Sequence, residues 1–380
     1  MLYTPAFAAL FIANLTIVAS FAGFFLFPLF ITAHGGNETD IGLLMGSFSL
    51  ASAACRPWVS EMIDRIGRKR SYTTGSLIMT IAPLFYLPFS GNLTDFFWLL
   101  LLLRIIHGIG LAICFTAIFT FIIDLIPGER LNEGIGMFGI SGLIGMAIGP
   151  ALAELVIELG GFSALFICAT ALAGLGLLLH LPVKEIERPV VELTTNHSFF
   201  KLLMKRKHLL IALMTGVFGF GLAATGTFVA PLAEQRGIGF ISSYYLAYST
   251  AAISIRFIAG RLADRFGEEG LLPWGIFLAV AGLLCLPYTS GSTLLLVSGL
   301  LFGTGHGLIF PSLNAMAVRG EAYEVRGKVT GIFTGSIDGG IFVGSLTLGL
   351  IGELAGLSTL FFCAGGIMLL AFPLFLLRSR

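Results

Sequence analysis

The stretch SEMIDRIGRKR, residues 60–70, sets six charged side chains into eleven positions of a chain in which only 11% of residues are charged. A second copy follows at residues 260–270, GRLADRFGEEG. Asp64, Arg65 and Gly67 recur there as Asp264, Arg265 and Gly267, each shifted by 200 positions. Apolar sequence flanks both copies. A charged connector that occurs twice in such surroundings points to a chain built from two copies of one apolar unit.

The composition says what surrounds that unit. Of the 380 residues 56% are hydrophobic and 35 are Phe, and the mean hydropathy is +0.95. A soluble protein carries roughly 25% charged residues. At 11% there is too little polar material to clothe a folded surface in water, so lipid must cover it. The 49 glycines fit helices packed closely in a bilayer, where small residues let backbones approach. A net charge of +1 argues against a nucleic-acid partner. Cys55, Cys114, Cys168, Cys285 and Cys363 stand singly in apolar runs, without the spacing of a metal site or a disulfide framework. No metal and no cofactor are expected. The opening, MLYTPAFAALFIANL, lacks a basic n-region and a small-residue cleavage site, and reads as a first spanning helix.

About 20 apolar residues cross a bilayer as a helix. By that measure the chain holds about twelve spans, at 6–31, 41–62, 71–90, 96–124, 134–158, 162–180, 208–233, 241–262, 271–289, 293–318, 328–352 and 357–377. The expected fold is an all-α membrane protein. Short connectors with turn chemistry join the spans, and Thr39 or Asp40 is the expected cap of the second. Residues 181–207 form the longest polar segment and divide six spans from six. Its end, SFFKLLMKRK, reads as a short amphipathic helix at the membrane surface. Lys and Arg set orientation. All but four of the 22 fall on the side shared by the linker and both termini, the exceptions being Arg56, Arg104 and Arg256 within spans and Arg236 on the opposite face. Both termini are therefore expected in the cytoplasm.

The repeat extends well beyond the connector. Pro28-Leu29 matches Pro231-Leu232, and Arg56 matches Arg256. LPFSG (87–91) resembles LPYTSG (286–291), ISG (140–142) aligns with IDG (337–339), and GFSALFICA (161–169) matches GLSTLFFCA (356–364). The offset falls smoothly from 203 to 195, as it does when loops differ slightly between two copies. Each copy has an even number of spans, so both insert the same way round. Two parallel six-helix bundles are expected, residues 1–180 and 208–380, joined by a cytoplasmic linker at 181–207.

With these features the chain resembles the major facilitator superfamily of secondary transporters over essentially its whole length. The family signature between spans two and three is G-x-L-x-D-R-x-G-R-K/R. SEMIDRIGRK has Asp64, Arg65, Gly67 and Arg68 in the signature places, and departs from it at Ser60 and Met62. The second copy keeps Asp264, Arg265 and Gly267 but ends in Glu268-Glu269. RIIHGIG (104–110), in span four, is similar to the family's R-x-x-Q-G-x-G, with His107 in the Gln place. GMAIGP, which includes Gly145, Gly149 and Pro150, is similar to the G-x-x-x-G-P packing segment of the family's exporters, although the Gly pair that usually follows is absent.

The resemblance implies alternating access. Asp64, at the cytoplasmic mouth of span two, would face the start of span eleven near Arg326, and Asp264 the start of span five near Arg130. A carboxylate there meets free N–H groups and the positive end of a helix dipole. Such contacts would latch the cytoplasmic side shut while the outside is open. Retention of positive charge inside accounts for the arginines but not for the paired Asp and Gly.

Ionisable groups within spans are costly, so each is a functional candidate. Asp338 lies near the middle of span eleven, where the first repeat has Ser141. It is a candidate for proton exchange, with hydrogen bonding to nearby backbone as the alternative. His306, in span ten, could pair with Asp338 and handle protons near neutral pH, or simply pack; His107 in span four has the same two options. The family resemblance makes Arg104 a candidate for coupling proton binding to substrate, with a structural pair to Glu154 as the alternative. Asn14 and Asn314 would hydrogen-bond substrate or a neighbouring helix. Phe24 and Phe27, in the aromatic band SFAGFFLFPLF (20–30), would line a cavity for an amphipathic substrate or face lipid. Pro28 and Pro231 would bend spans one and seven.

The expected function is a proton-coupled secondary transporter exporting small amphipathic molecules. It would act as a monomer in a bacterial inner membrane, with the lipid bilayer, a small-molecule substrate and protons as partners. A polar metabolite (an organic anion, a sugar or a metal chelate) is the alternative substrate class. No Walker-type sequence is present, which argues against direct ATP drive. A membrane-embedded enzyme and a transport-dead receptor or scaffold are the competing classes. Neither H-E-x-x-H nor G-x-S-x-G occurs, and neither class needs matched bundles or a latch.

Overall fold

The computed structural model describes residues 3–127, 130–184, 199–321 and 323–378. Outside the described set are also the side chains of Asp64, Leu131, Asn132, residues 259–266, Glu268, Tyr323, Glu324, Arg326 and Arg378. Helix is the regular structure throughout these residues, as a bilayer demands. With no water in the hydrocarbon, backbone N–H and C=O groups must find partners within their own segment.

Span one is made of α1 (Pro5–Gly23) and α2 (Phe27–Ala33), separated by a 3₁₀ turn at Phe24–Leu26. Pro28 lies in the first turn of α2, where its missing N–H costs nothing. Its repeat partner Pro231 instead stands inside an uninterrupted helix, α8 (Arg206–Gln235). Span two is α3 (Glu38–Ile66). Span three is α4 (Arg68–Ile81), extended by a 3₁₀ segment at Ala82–Tyr86, and span four is α5 (Leu93–Leu125). Spans five and six run together as α6 (Leu131–His180), which turns at Gly160 and Gly161. A short helix, α7 (Phe199–Leu203), precedes α8, which is span seven. Spans eight and nine form α9 (Ser242–Cys285). Spans ten and eleven are α10 (Ser292–Val318) and α11 (Tyr323–Ala355), and α12 (Leu357–Leu369) with α13 (Ala371–Arg378) makes span twelve.

Among the described residues eight helical segments are individually long and apolar enough to cross a membrane. One of them is the turned α6, which carries two spans. Span two, α3, is not among them, and α4 alone is only 14 residues long.

Both connector copies leave a conformational mark. Gly67 separates α3 from α4 with φ +93°, and Gly267 breaks α9 with φ +72°. L side chains rarely adopt that region, so glycine is a backbone requirement in each copy. The cap of α3 differs from the expected Thr39 or Asp40. Asn37 accepts from the Asp40 N–H at 2.8 Å, and Asp40 in return accepts from the Asn37 N–H at 3.1 Å. This reciprocal box satisfies two of the helix's free donors.

The helices fall into two compact units, Met1–Gly36 with Leu50–Arg188, and Asn37–Ser49 with Pro189–Arg380. In the first unit glycine lets α1 lie against α6. A Cβ at Gly145 would be 2.7 Å from the Leu15 carbonyl oxygen, and one at Gly149 would collide with that of Ala19. Gly75 serves α4 and α5 similarly, with a Cβ there falling 2.7 Å from the Cys114 nitrogen. In the second unit Gly340 meets the Gly216 backbone and Gly219 meets that of Ile337, joining α11 to α8. The first turns of α3 belong to this second unit, although span two is expected whole within residues 1–180. A Cβ at Gly349 would lie 2.6 Å from the Glu38 carbonyl oxygen, and the Asn37 amide donates to Glu353 Oε1 at 3.1 Å.

Candidate functional site

The charges of the first connector tie helix ends together. Arg68 Nε lies 3.1 Å from Asp124 Oδ2 near the end of α5, and Lys69 Nζ donates to the Leu181 carbonyl just past α6 at 2.6 Å. A cation at a helix C-terminus meets unsatisfied carbonyls and the negative end of the dipole. Arg65 is exposed and pairs with Glu61 one turn back, at 2.5 Å, a contact that water makes weak. Arg130 is also exposed. It pairs with Glu133 at 2.5 Å and lies over the Tyr3 ring at 5.7 Å. The remaining latch side chains, Asp64, Asp264, Arg265 and Arg326, lie outside the described residues.

Deeper in the first unit, α5 presents Arg104 and His107 one turn apart, on the same face. Arg104 is only 1% exposed. Its guanidinium carbon lies 5.7 Å from the centre of the Phe24 ring and 5.2 Å from that of Phe27. The 3₁₀ turn explains how both rings reach it. At three residues per turn positions i and i+3 eclipse, so Phe24 and Phe27 project together, their centroids 5.5 Å apart. The negative ring faces attract the cation in compensation for its lost water. Phe24 and Phe27, expected to line a cavity or face lipid, are thus fully buried beneath Arg104.

Tyr86 closes this cluster from span three. Its ring lies 5.3 Å from Phe24 and from Phe27, and 5.2 Å from Phe166. Its hydroxyl is 3.4 Å from His107 Nδ1 and also faces Arg104. Asn14, earlier on span one, donates to Ser141 Oγ at 2.7 Å, so its amide joins span one to span five.

The second unit has a cluster at the matching place. His306 stands 199 positions after His107, the offset of the nearby LPFSG and LPYTSG pair. Its ring is hydrogen-bonded to the hydroxyl of Tyr248, from the span-eight part of α9. Phe218 and Phe310 pack on it at 5.1 and 5.7 Å, and the charge of Arg256 bears on both Tyr248 and His306. Tyr248 therefore engages this histidine, for which the sequence offered pairing with Asp338 or simple packing. Asp338 is half-buried in α11. Asn314 Oδ1 is buried with no hydrogen-bond partner among the described residues.

Tyr86 and Tyr248 escape sequence reasoning. A phenol hydroxyl in an apolar span needs a partner, which is a usable signal, but it does not name the partner. A third polar group lies between α8 and the turn after α10. Lys207 Nζ donates to the Arg319 carbonyl at 2.6 Å and to Glu321 Oε1 at 2.7 Å, and His208 Nε2 is 3.2 Å from the same oxygen. The Lys207 ammonium holds the Glu321 carboxyl below the usual carboxylate range.

A family model described as Major Facilitator Superfamily matches residues 9–320. The chain is 24% identical over 357 residues to the Staphylopine export protein of Staphylococcus aureus, covering 88% of this chain and 86% of that one. It is 26% identical over 316 residues to a multi-drug resistance efflux pump PmrA homolog of Lactococcus lactis, covering 76% and 73%. A mutant form of the nucleoside transporter NupG has the same fold, with a TM-score of 0.80 at 16% identity, covering 99% of this chain and 100% of that one.

Proposed function

Since the chain belongs to the Major Facilitator Superfamily, and so is an integral membrane transporter of small-molecule substrates, we propose that it is a proton-coupled exporter of small amphipathic molecules working by alternating access. Asp338 carries this reading. Its counterpart Ser141 is engaged with Asn14, whereas the counterpart of Asn14 in the second repeat, at the Pro28/Pro231 offset, is Val217, which cannot hydrogen-bond through its side chain. The first repeat fills this place with a hydroxyl, so the repeat by itself does not dictate an acid there, and an ionisable carboxylate within a span is a functional candidate. Protonation would neutralise it in one access state and ionisation would recharge it in the other. His107, His306 and Arg104, buried among aromatic rings, are the groups through which that charge change would reach substrate. Two relatives named for export or efflux support the direction. Asp64 and Asp264 would latch the cytoplasmic side, with both termini in the cytoplasm of a bacterial cell and the monomer as the working unit.

The test is proton release from purified protein in weakly buffered detergent solution on addition of lipophilic cations or lysolipids. The wild type is expected to release protons. Asp338→Asn should release none, yet still be stabilised thermally by the same compounds, as any folded-state binder requires. Equal proton release from both proteins would sink the assignment.

A second reading follows from Arg104, a buried guanidinium suited to an anionic group. If only organic anions or metal chelates raise the melting temperature, and Arg104→Met removes the effect, the substrate is a polar metabolite.

A further inference from the structure

The corner where α7 meets α8 has two unlike faces. Inward, Leu202 is buried with Phe199 and Leu203 against Ala212, Val325 and Ile332. His208 Nδ1 lies 2.9 Å from the Leu202 carbonyl oxygen, which pins the end of the short helix to α8. Outward, Phe200 is 69% exposed and Met204 66% exposed. Four residues apart, they sit one turn from each other on the same side.

Cations surround this apolar pair. Lys201, Lys205 and Arg206 are exposed, and Lys201 and Lys205 make no ion pair among the described residues. Among the described residues the nearby acid Glu321 is already taken by Lys207 and His208. Arg206 donates to the Leu377 carbonyl at 3.0 Å, which brings the exposed Leu376 and Leu377 of α13 to the same corner.

The depth of the corner is set by α8. Arg206 is the first residue of a 30-residue apolar helix, which at about 1.5 Å per residue spans the hydrocarbon and both headgroup layers, so this end lies at headgroup depth. Two large apolar side chains exposed at that depth, flanked by lysines that have no acidic partner among the described residues, match an anionic leaflet. The apolar groups enter the acyl boundary, while the long lysine stems run back to the phosphates.

We propose that α7 and the first turn of α8 form a docking surface for anionic phospholipid, with Phe200 and Met204 inserted in the leaflet and Lys201, Lys205 and Arg206 on its headgroups. A soluble partner protein would want the same side chains in water, and the test separates the two.

Trp58, Trp98 and Trp274 are all exposed on spans, so each can be replaced by Phe without disturbing the core. Phe200→Trp in that background then reports on the corner alone. The protein is reconstituted in phosphatidylcholine vesicles with and without phosphatidylglycerol, and its thermal unfolding confirms that it is folded. Expected are a blue-shifted emission and quenching by brominated acyl chains. Both should deepen with phosphatidylglycerol, and the increment should fade in high salt. Adding Lys201→Gln and Lys205→Gln should abolish the phosphatidylglycerol increment while leaving residual quenching. The proposal is overturned if the introduced indole emits as in water and is quenched by aqueous iodide but not by brominated lipid. It is overturned equally if the increment survives loss of both lysines.

Discussion

His107 and His306 occupy matched places in the two repeats, both buried and both hydrogen-bonded to a tyrosine from another span. One turn earlier the copies part. The first repeat has Arg104, lying on Phe24 and Phe27, and the second has Gly303, at the same offset of 199. The bare Cα of Gly303 lets the Tyr248 backbone lie directly against α10, where any Cβ would collide with it. One position thus holds a desolvated cation in one copy and a close helix crossing in the other. The histidine–tyrosine pair does not depend on which neighbour it has. The difference between the copies lies in what surrounds it.

The largest effect that would break this comparison is on stability. Gly303→Ala forces two backbones apart, and overpacking of that kind costs about 1–3 kcal/mol, more where backbone must move. A clear drop in melting temperature in detergent is expected. Arg104→Met should leave the melting temperature near wild type, because burying a charge costs about as much as its contacts return. Its substrate-induced proton release should nevertheless fall. If Gly303→Ala melts with the wild type, close approach is not the reason for that glycine.

A smaller effect sharpens the histidine–tyrosine parallel. Tyr248→Phe removes a close hydrogen bond to His306, a loss of about 1 kcal/mol. Tyr86→Phe should cost less, since its hydroxyl stands 3.4 Å from His107, long for such a bond. Unfolding midpoints of the two variants measure the difference, and equal losses would make the pairs equivalent after all.

The smallest effect concerns the helix ends. The first unit ties its ends with Arg68 to Asp124, and the second with Lys207 to Glu321. Lys207 lowers the folded-state pKa of Glu321. The resulting stability is fully present above the ordinary glutamate value and is lost as pH falls through the lowered one. Wild-type protein should therefore lose melting temperature on acidification below the ordinary glutamate range. Glu321→Gln should remove that part of the decline, and an unchanged pH profile in the variant would show that the pair contributes nothing to folding.

Much of the molecule was legible in one dimension. Span length and repeat offset depend only on spacing along the chain, so the twelve spans and the matched glycines Gly67 and Gly267 could be read directly. Gly145 and Gly149 were legible as close-packing positions because a missing Cβ has the same meaning in any helix. The cap of α3 was legible only in part, since NETD offers several capping oxygens and backbone geometry selects Asn37.

The sequence by itself determined that this is a membrane protein of repeated helices, because hydropathy, segment length and internal repetition are properties of the chain and not of its packing. Only the tertiary structure decided which buried groups meet. Rotation of each helix about its axis is set by side-chain interlocking across the bundle. That interlocking gave His306 to Tyr248, laid Arg104 on Phe24 and Phe27, and drew residues 37–49 to α11.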